Sequence, residues 1–391
     1  MPPKGIKSSS DDALYYRIGA GRLRNELLEH LLPQGPAGAS RLSSEVHQTL
    51  VLHMAAKGAM FLGHLEEAIR RFQAAIDLLA RVPGEPHGDL TLVAEHLQEP
   101  SHFDRPSDVV RVCLSELSLA QRLAGHLWSA EQAARRALAM SRRASQVFEV
   151  GVHLYRLGLV LSARGATAEA DAVFHESLAI WQQCHPHREL EGFLDACLAQ
   201  QALWTGDPAH ALALAETAGR VVHDHPLALN TMQGTRLQGM AHLAFGGLDA
   251  AAERLYVALT AARTQNHVEE ALLTLVPLAE LHRRRGEFER AREVLDLVWE
   301  PAARGPYRLC HADALTVLAR LVWEAGRSAE AIAAATRAYA LAWCDGPPFA
   351  YHWGLTAARE LLLAWGASCP VLPPFVGASM TGMPGHPVSF A

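Results

Sequence analysis

A short phrase recurs along this chain, and it constrains the fold more than any other feature. Each copy has a glycine after an apolar helix end and a small residue five positions later, as in GATAEA at Gly165. The other copies begin at Gly63, Gly125, Gly206, Gly246, Gly286 and Gly326. Successive glycines are 62, 40, 41, 40, 40 and 40 residues apart. A fixed period of this length is typical of stacked repeat architectures.

The residues on either side of each glycine have helical periodicity. Before Gly165, VHLYRLGLVLSA carries apolar residues on one face, and Gly158 leaves room for a partner helix. Gly165 ends that helix, because the turn requires a φ that residues with a Cβ resist. Ala170, Phe174 and Leu178 then form the apolar stripe of a second helix. The sequence therefore predicts seven helix–turn–helix units.

These features resemble the tetratricopeptide repeat family, which has a small residue midway along the first helix, glycine at the turn and alanine five residues later. The small first-helix residues here are Ala56, Ser118, Gly158, Ala199, Gly239, Ala279 and Ala319. The resemblance implies an all-α, right-handed superhelical solenoid. The 40-residue period exceeds the usual length of about 34 and is similar to the longer repeats of bacterial signalling proteins.

The rest of the chain divides into short segments around the repeats. We predict a disordered N-terminus, a capping helix with its linker, seven repeats, a C-terminal capping helix and a flexible tail rich in Pro and Gly. Their bounds are 1–11, 12–41, 42–343, 344–367 and 368–391. The 62-residue spacing indicates an insertion at about 83–106, and insertions in such arrays form loops on one face.

The segment that follows the seventh repeat, CDGPPFAYHWGL (344–355), is distinctive. It resembles the closing helix of the repeat modules in bacterial STAND-type signalling ATPases. The phosphate-binding motif GxxxxGK[ST] is missing from this sequence. The resemblance therefore implies a sensor module without the ATPase.

Composition excludes several classes of protein. Hydrophobic residues make up 50% of the chain and charged residues 19%, which excludes global disorder. The net charge of −6 lacks the basic excess of a nucleic-acid-binding surface. No apolar run is long enough to span a membrane, the N-terminus does not resemble a secretory signal, and no CxxC pair occurs among the six cysteines. We expect a cytoplasmic protein with a protein or peptide partner.

The family resemblance also implies where that partner binds. First helices of tetratricopeptide repeats line a concave groove, and Arg and Trp are frequent at binding hot spots. By register, the groove residues would be Tyr155, Gln200, Trp204, Gln233, Arg236, Met240, Glu280, Arg283, Arg284, Asp313, Arg320 and Trp323. The alternative is that these are ordinary surface residues. Trp204 and Trp323 could instead pack between repeats.

Two hypotheses for the function follow. The first is a non-catalytic scaffold or sensor that holds a helix or an extended peptide in the groove. The second is a small-ligand or peptide sensor that regulates a separate signalling ATPase or transcription factor. An enzyme is not expected, because GxSxG and HExxH are missing. A closed pocket with convergent carboxylates would revive that possibility.

Histidine is concentrated in two loops between repeats. One contains Cys184, His185 and His187, and the other contains His223 and His225. The loops are one period apart, so a zinc site between them is geometrically conceivable. Solvated histidines near helix C-termini are the simpler interpretation. We expect no metal and no cofactor.

Overall fold

The computed structural model describes residues 45–80, 106–184, 188–220 and 229–376, together with Leu28, 30–32 and Leu42. Over these residues it contains fifteen α-helices and no strand. The helices form seven antiparallel pairs followed by a single helix, which confirms the predicted α-solenoid. The predicted N-terminal segments and nearly all of the 83–106 insertion lie outside the described residues.

The helix boundaries follow the repeat register. The first helices of the seven repeats are α1 (Glu45–Phe61), α3 (Pro106–Ala124), α5 (Val147–Ala163), α7 (Arg188–Trp204), α9 (Leu229–Ala244), α11 (Val268–Arg284) and α13 (Arg308–Glu324). The second helices are α2 (Leu65–Ala80), α4 (Leu127–Arg143), α6 (Thr167–Cys184), α8 (Pro208–Arg220), α10 (Leu248–Thr264), α12 (Phe288–Arg304) and α14 (Ser328–Ala342). The last helix, α15 (His352–Ala364), covers the end of the stack.

Each repeat turns at its glycine, as the sequence predicts. All seven glycines have a left-handed φ, from 74° at Gly286 to 85° at Gly63. At Gly165 the backbone N–H bonds to the Ser162 carbonyl, and the N–H of Ala166 reaches back to Leu161. This pair of bonds satisfies the free carbonyls at the helix end, so the glycine fixes the angle at which the second helix leaves.

Small residues allow the two helices of a repeat to approach closely. The residue five positions after each glycine is an alanine with 0% exposure in every repeat. These residues are Ala68, Ala130, Ala170, Ala211, Ala251, Ala291 and Ala331. On the facing helix of the third repeat, a Cβ at Gly158 would lie 2.3 Å from the Phe174 ring. The small residues are therefore required by packing.

The solenoid curves until its end meets its beginning. The carbonyl of Gly63, in the first repeat, lies close to Gly305, between the sixth and seventh repeats. A Cβ at Gly125, in the second turn, would meet the Arg308 side chain at the start of α13. A Cβ at Gly165, in the third turn, would lie 2.5 Å from the His352 ring of α15. One superhelical turn thus closes within about five repeats, a feature that the repeat pattern does not reveal.

The C-terminal region continues beyond α15. The tail predicted to be flexible from residue 368 is described as far as Val376, and this part lies against the last repeat. Trp343 donates its indole N–H to the Pro373 carbonyl at 2.8 Å, and Leu372 packs beside Tyr339. Residues 377–391 lie outside the described part. Among the described helices, none has the length and apolarity needed to cross a membrane.

Two glycine substitutions test the closure. Gly206→Ala and Gly165→Ala both place a Cβ at a similar left-handed φ, 84° and 78°, a cost of about 1–2 kcal/mol. At Gly206 no atom of the described residues lies within 4 Å of the added Cβ, whereas at Gly165 the His352 ring lies 2.5 Å away. We expect Gly165→Ala to lower the free energy of unfolding by about 1–3 kcal/mol more, measured by urea denaturation. Equal losses would contradict the closed superhelix.

Candidate functional site: a cavity inside the superhelix

The closed superhelix surrounds a cavity of about 390 Å³. All seven first helices contribute to its wall, and Tyr351 completes it from the segment before α15. The lining part of α1 is its C-terminal end (57–61), whereas α13 contributes its first turns (309–313). The cavity therefore runs obliquely across the stack of helices.

One part of the wall is apolar. It is formed by aliphatic and aromatic side chains that are partly buried and face the cavity, among them Phe61, Leu119, Leu159, Leu273 and Val276. Such surface suits the apolar side chains or carbon skeleton of a bound molecule.

Two ion pairs in the wall join separate repeats. Arg156 donates to Glu116 at 3.2 Å between neighbouring repeats, and Arg122 donates to Glu269 at 3.4 Å across the superhelix. Burial alone would raise the pKa of Glu116, but the charges of Arg156, Lys57 and His53 and the Arg156 hydrogen bond bring it below its ordinary value. Glu116 is therefore a carboxylate at neutral pH.

A third ion pair is the centre of a small polar network. Arg236 donates to Glu270 at 3.1 Å, and Gln233 donates to the other oxygen of the same carboxylate at 3.1 Å. Arg236 also donates to the Gln200 amide oxygen at 3.3 Å. Removing one member of a buried pair costs about 3–5 kcal/mol, so these groups form a wall that is rigid before any ligand arrives.

Asp313 differs from the other acidic residues of the wall. Its hydrogen-bond partner is the Tyr351 hydroxyl, which donates to Oδ2 at 2.9 Å. Burial raises the pKa of Asp313 to about 7, and the Tyr351 hydrogen bond and the more distant Arg320 charge offset only part of that rise. Near neutral pH this carboxyl therefore changes between its charged and neutral forms.

The segment 344–353, called the closing segment below, holds the C-terminal end against the second, third and fourth repeats. Asp345 accepts a hydrogen bond from the Trp128 backbone N–H at 2.9 Å. Trp353 donates its indole N–H to the Ser162 carbonyl at 2.8 Å and stacks on Trp204, with ring centroids 5.2 Å apart. These contacts close the ring at the edge of the cavity.

A further contact strengthens the closing segment. The Arg164 guanidinium lies 5.6 Å from the centre of the Phe349 ring, a cation–π geometry. Phe349 in turn contacts Phe375, whose ring also lies 6.3 Å from Trp128. The distinctive CDGPPFAYHWGL sequence is thus used to close the superhelix.

Seven of the predicted groove residues line the cavity. They are Tyr155, Gln200, Trp204, Gln233, Arg236, Met240 and Asp313. The structure brings them together as the register suggests, around a partly open cavity inside the superhelix. Their part in binding remains a prediction.

The other five predicted residues lie away from the cavity. Glu280 accepts hydrogen bonds from Arg283 at 2.8 Å and from Arg284 at 2.8 Å. Trp323 stacks on Trp365 at 4.4 Å and so packs between the last repeat and its capping helix, and Arg320 is partly buried on α13. All five lie in the C-terminal halves of α11 and α13, whereas the oblique cavity meets the N-terminal halves of those helices.

Several lining residues were missed by the register argument, chiefly Glu116, Arg122, Arg156, Glu269 and Tyr351. One signal was present: Glu116 and Arg156 have opposite charges exactly one 40-residue period apart. Equivalent positions of neighbouring repeats lie side by side in a solenoid, so this spacing indicates an ion pair. Contacts across the superhelix, such as that between Arg122 and Glu269, do not follow a fixed spacing in the sequence.

The zinc site considered between the two histidine-containing loops falls outside the described structure. His185, His187, His223 and His225 all lie there, as does the side chain of Cys184. In the described part of the chain, no three His, Cys, Asp or Glu side chains are grouped as metal ligands.

Comparison with known proteins supports the fold. No protein-family model and no curated protein matches this sequence. A Rap protein complexed with competence and sporulation factor is similar over 92% of this chain and 89% of its own, with a TM-score of 0.58 and 13% identity. The Rap conjugation gene regulator of the plasmid pLS20, in complex with the Phr* peptide, is similar over 86% and 85%, with a TM-score of 0.59 and 14% identity. The chain therefore has a tetratricopeptide-type helical repeat fold.

The raised pKa of Asp313 predicts that the free energy of unfolding depends on pH. Because this pKa is raised above the unfolded value to about 7, the native state binds the proton more tightly, and stability falls as pH rises through that range. Asp313→Asn removes this loss and keeps an acceptor for Tyr351. We expect wild type to lose up to about 3 kcal/mol relative to Asp313→Asn between pH 5 and pH 8, measured by urea denaturation.

The matched control is Asp249→Asn, since Asp249 is fully exposed on α10. Its stability should follow the wild-type pH profile. Parallel profiles for wild type and Asp313→Asn would show that Asp313 ionises normally.

Proposed function

We propose that this chain is a non-catalytic binding protein that takes up a short peptide in its internal cavity. The observation that supports this most directly is the convergence of all seven first helices on one cavity. The two similar solved structures add support, because one is a complex with competence and sporulation factor and the other a complex with the Phr* peptide.

The size of the cavity favours a short, extended ligand over a helical partner. Its volume of about 390 Å³ falls in the ordinary range for small-molecule sites, about 300–1,000 Å³. An α-helix with its side chains is about 10–12 Å across, so the closed superhelix disfavours a partner helix laid along the groove. An extended segment of a few residues fits better.

The chemistry of the wall suits a peptide. An extended peptide brings N–H and C=O groups that need hydrogen-bond partners when they leave water. Gln200 and Gln233 carry amides, which both donate and accept, and they lie beside the apolar surface that side chains would occupy. A preformed wall also lowers the entropic cost of binding.

A second candidate is a small polar metabolite. The cavity volume lies near the lower end of the range for ligand sites, and the closing segment shields the bound molecule from solvent. In both cases we propose that ligand binding alters a separate signalling protein in the bacterial cytoplasm, as the resemblance of 344–355 to STAND modules suggests.

Carboxylates that converge in one cavity could in principle support acid–base catalysis. Four do so here: Glu116, Glu269, Glu270 and Asp313. Three of them are neutralised by Arg156, Arg122 and Arg236. A reaction that needs two free carboxyl groups is therefore disfavoured, and binding remains the proposal.

Peptide uptake can be tested with a defined mixture of synthetic tri- to hexapeptides. We expect wild type to retain a subset in affinity selection followed by mass spectrometry. Leu159→Trp combined with Val276→Trp should reduce retention at least tenfold, because both side chains face the cavity and the larger rings fill it. The control Val257→Trp changes an outer position of α10 that is 54% exposed and should retain the same peptides.

Thermal denaturation with a metabolite panel distinguishes the second candidate. A ligand at a hundredfold excess over Kd stabilises its protein by about 2.7 kcal/mol. Stabilisation by a metabolite and by no peptide would favour the metabolite. Retention of the same peptides by the cavity-filled and wild-type proteins would refute binding inside the superhelix.

A further inference from the structure

We propose that Asp313 binds a positively charged group, an ammonium or a guanidinium, of the molecule held in the cavity. This inference rests on the proposed function, since it specifies the chemistry of that same site. It concerns a position in the wall where the protein does not supply the counter-ion itself.

The other acidic residues of the wall are already paired. Glu116, Glu269 and Glu270 each have an arginine within 3.4 Å, supplied by another repeat. The charges of these three carboxylates are balanced before a ligand enters, so a cationic ligand would gain less from them than from an acid without an arginine.

Asp313 has no such arginine. In the described part of the chain, its contact within hydrogen-bonding distance is the neutral Tyr351 hydroxyl on Oδ2, at 2.9 Å. Arg320 lies two turns further along α13 and influences Asp313 only through the longer-range field. A carboxylate has about four acceptor positions, and Tyr351 uses one of them.

The position of the side chain suits a ligand contact. Asp313 faces the cavity from the first half of α13 and is partly buried there. Burying an unpaired carboxylate is costly, whereas a charge-assisted hydrogen bond to a cation in a site of low polarity is strong. Burial brings the pKa of Asp313 to about 7, so a bound cation would hold the group in its ionised form.

Tyr351 positions the Asp313 carboxyl. The tyrosine belongs to the closing segment, and its ring also lies 6.5 Å from Trp204. Its hydroxyl fixes the rotamer of Asp313 by holding Oδ2. Oδ1 is then the oxygen that accepts a hydrogen bond from the bound cation.

The first test uses small probes on the full chain. We expect n-butylguanidinium and n-butylammonium to bind saturably in ligand-observed NMR titrations, and the uncharged n-butylurea to bind at least tenfold more weakly. Asp313→Asn should weaken the two cations at least tenfold, while Asp249→Asn, at an exposed position, should leave them unchanged. Equal affinity of wild type for butylurea and butylguanidinium would overturn the proposal. This comparison uses the wild-type protein alone, so it does not depend on the folding of a variant.

The second test identifies the source of the charge in a peptide. Peptides retained from the defined library are compared with N-acetylated copies and with copies in which citrulline replaces arginine and norleucine replaces lysine. A tenfold loss on acetylation assigns the terminal ammonium to Asp313, and a tenfold loss on side-chain replacement assigns the side chain. In either case the loss should disappear in Asp313→Asn.

Failure here is distinguishable from failure of the proposed function. If wild type and Asp313→Asn retain the same peptides with equal affinity, the Asp313 assignment is wrong and peptide binding stands. If neither protein retains any peptide and no probe binds, both fail.

Discussion

The contact between the closing segment and the third and fourth repeats is the interaction on which the rest of the structure depends. Trp353 hydrogen-bonds to Ser162 and stacks on Trp204. Together with the contacts of Gly63 with Gly305 and of Gly125 with Arg308, this contact holds one superhelical turn closed. The inner surface of that turn is the wall of the cavity. Closure therefore determines the size of the cavity and strengthens the electrostatic interactions between the groups in its wall.

Much of the fold could be predicted from the sequence, because the features responsible are local. A left-handed turn at Gly165 and a close helix crossing at Ala170 depend on neighbouring residues, and they repeat at a fixed period. The superhelical curvature could not be predicted in the same way. It results from small rotations added over several repeats, so no single phrase specifies that His352 will meet Gly165. The distinctive sequence of the closing segment could be recognised, but its contacts depend on that accumulated curvature.

The residues that line the cavity could also be predicted only in part, because repeat register is a local feature and the path of the cavity is not. Register identified Gln200, Gln233 and Arg236, which lie near the middle of the array where the cavity crosses the helices centrally. Arg283 and Trp323 lie outside the cavity, because it meets the N-terminal halves of α11 and α13. The distribution of charge carries more information than the residue types alone. Arginines join the repeats along the wall, and the acid without an arginine is the position at which we propose a cationic ligand group.

The closed superhelix is tested most directly by a disulfide that only closure permits. A Cβ at Gly125 would lie 3.2 Å from the Cys344 sulfur, although 219 positions separate the two residues. We predict that Gly125→Cys, oxidised as the full chain, forms a disulfide with Cys344 in non-reducing peptide mapping. Gly206→Cys has the same backbone conformation and an empty surrounding, and it should not cross-link. If the thiol introduced by Gly125→Cys stays free under the same oxidant while the variant keeps the helical content and melting temperature of Gly206→Cys, the superhelix is open and the cavity is not a property of this protein.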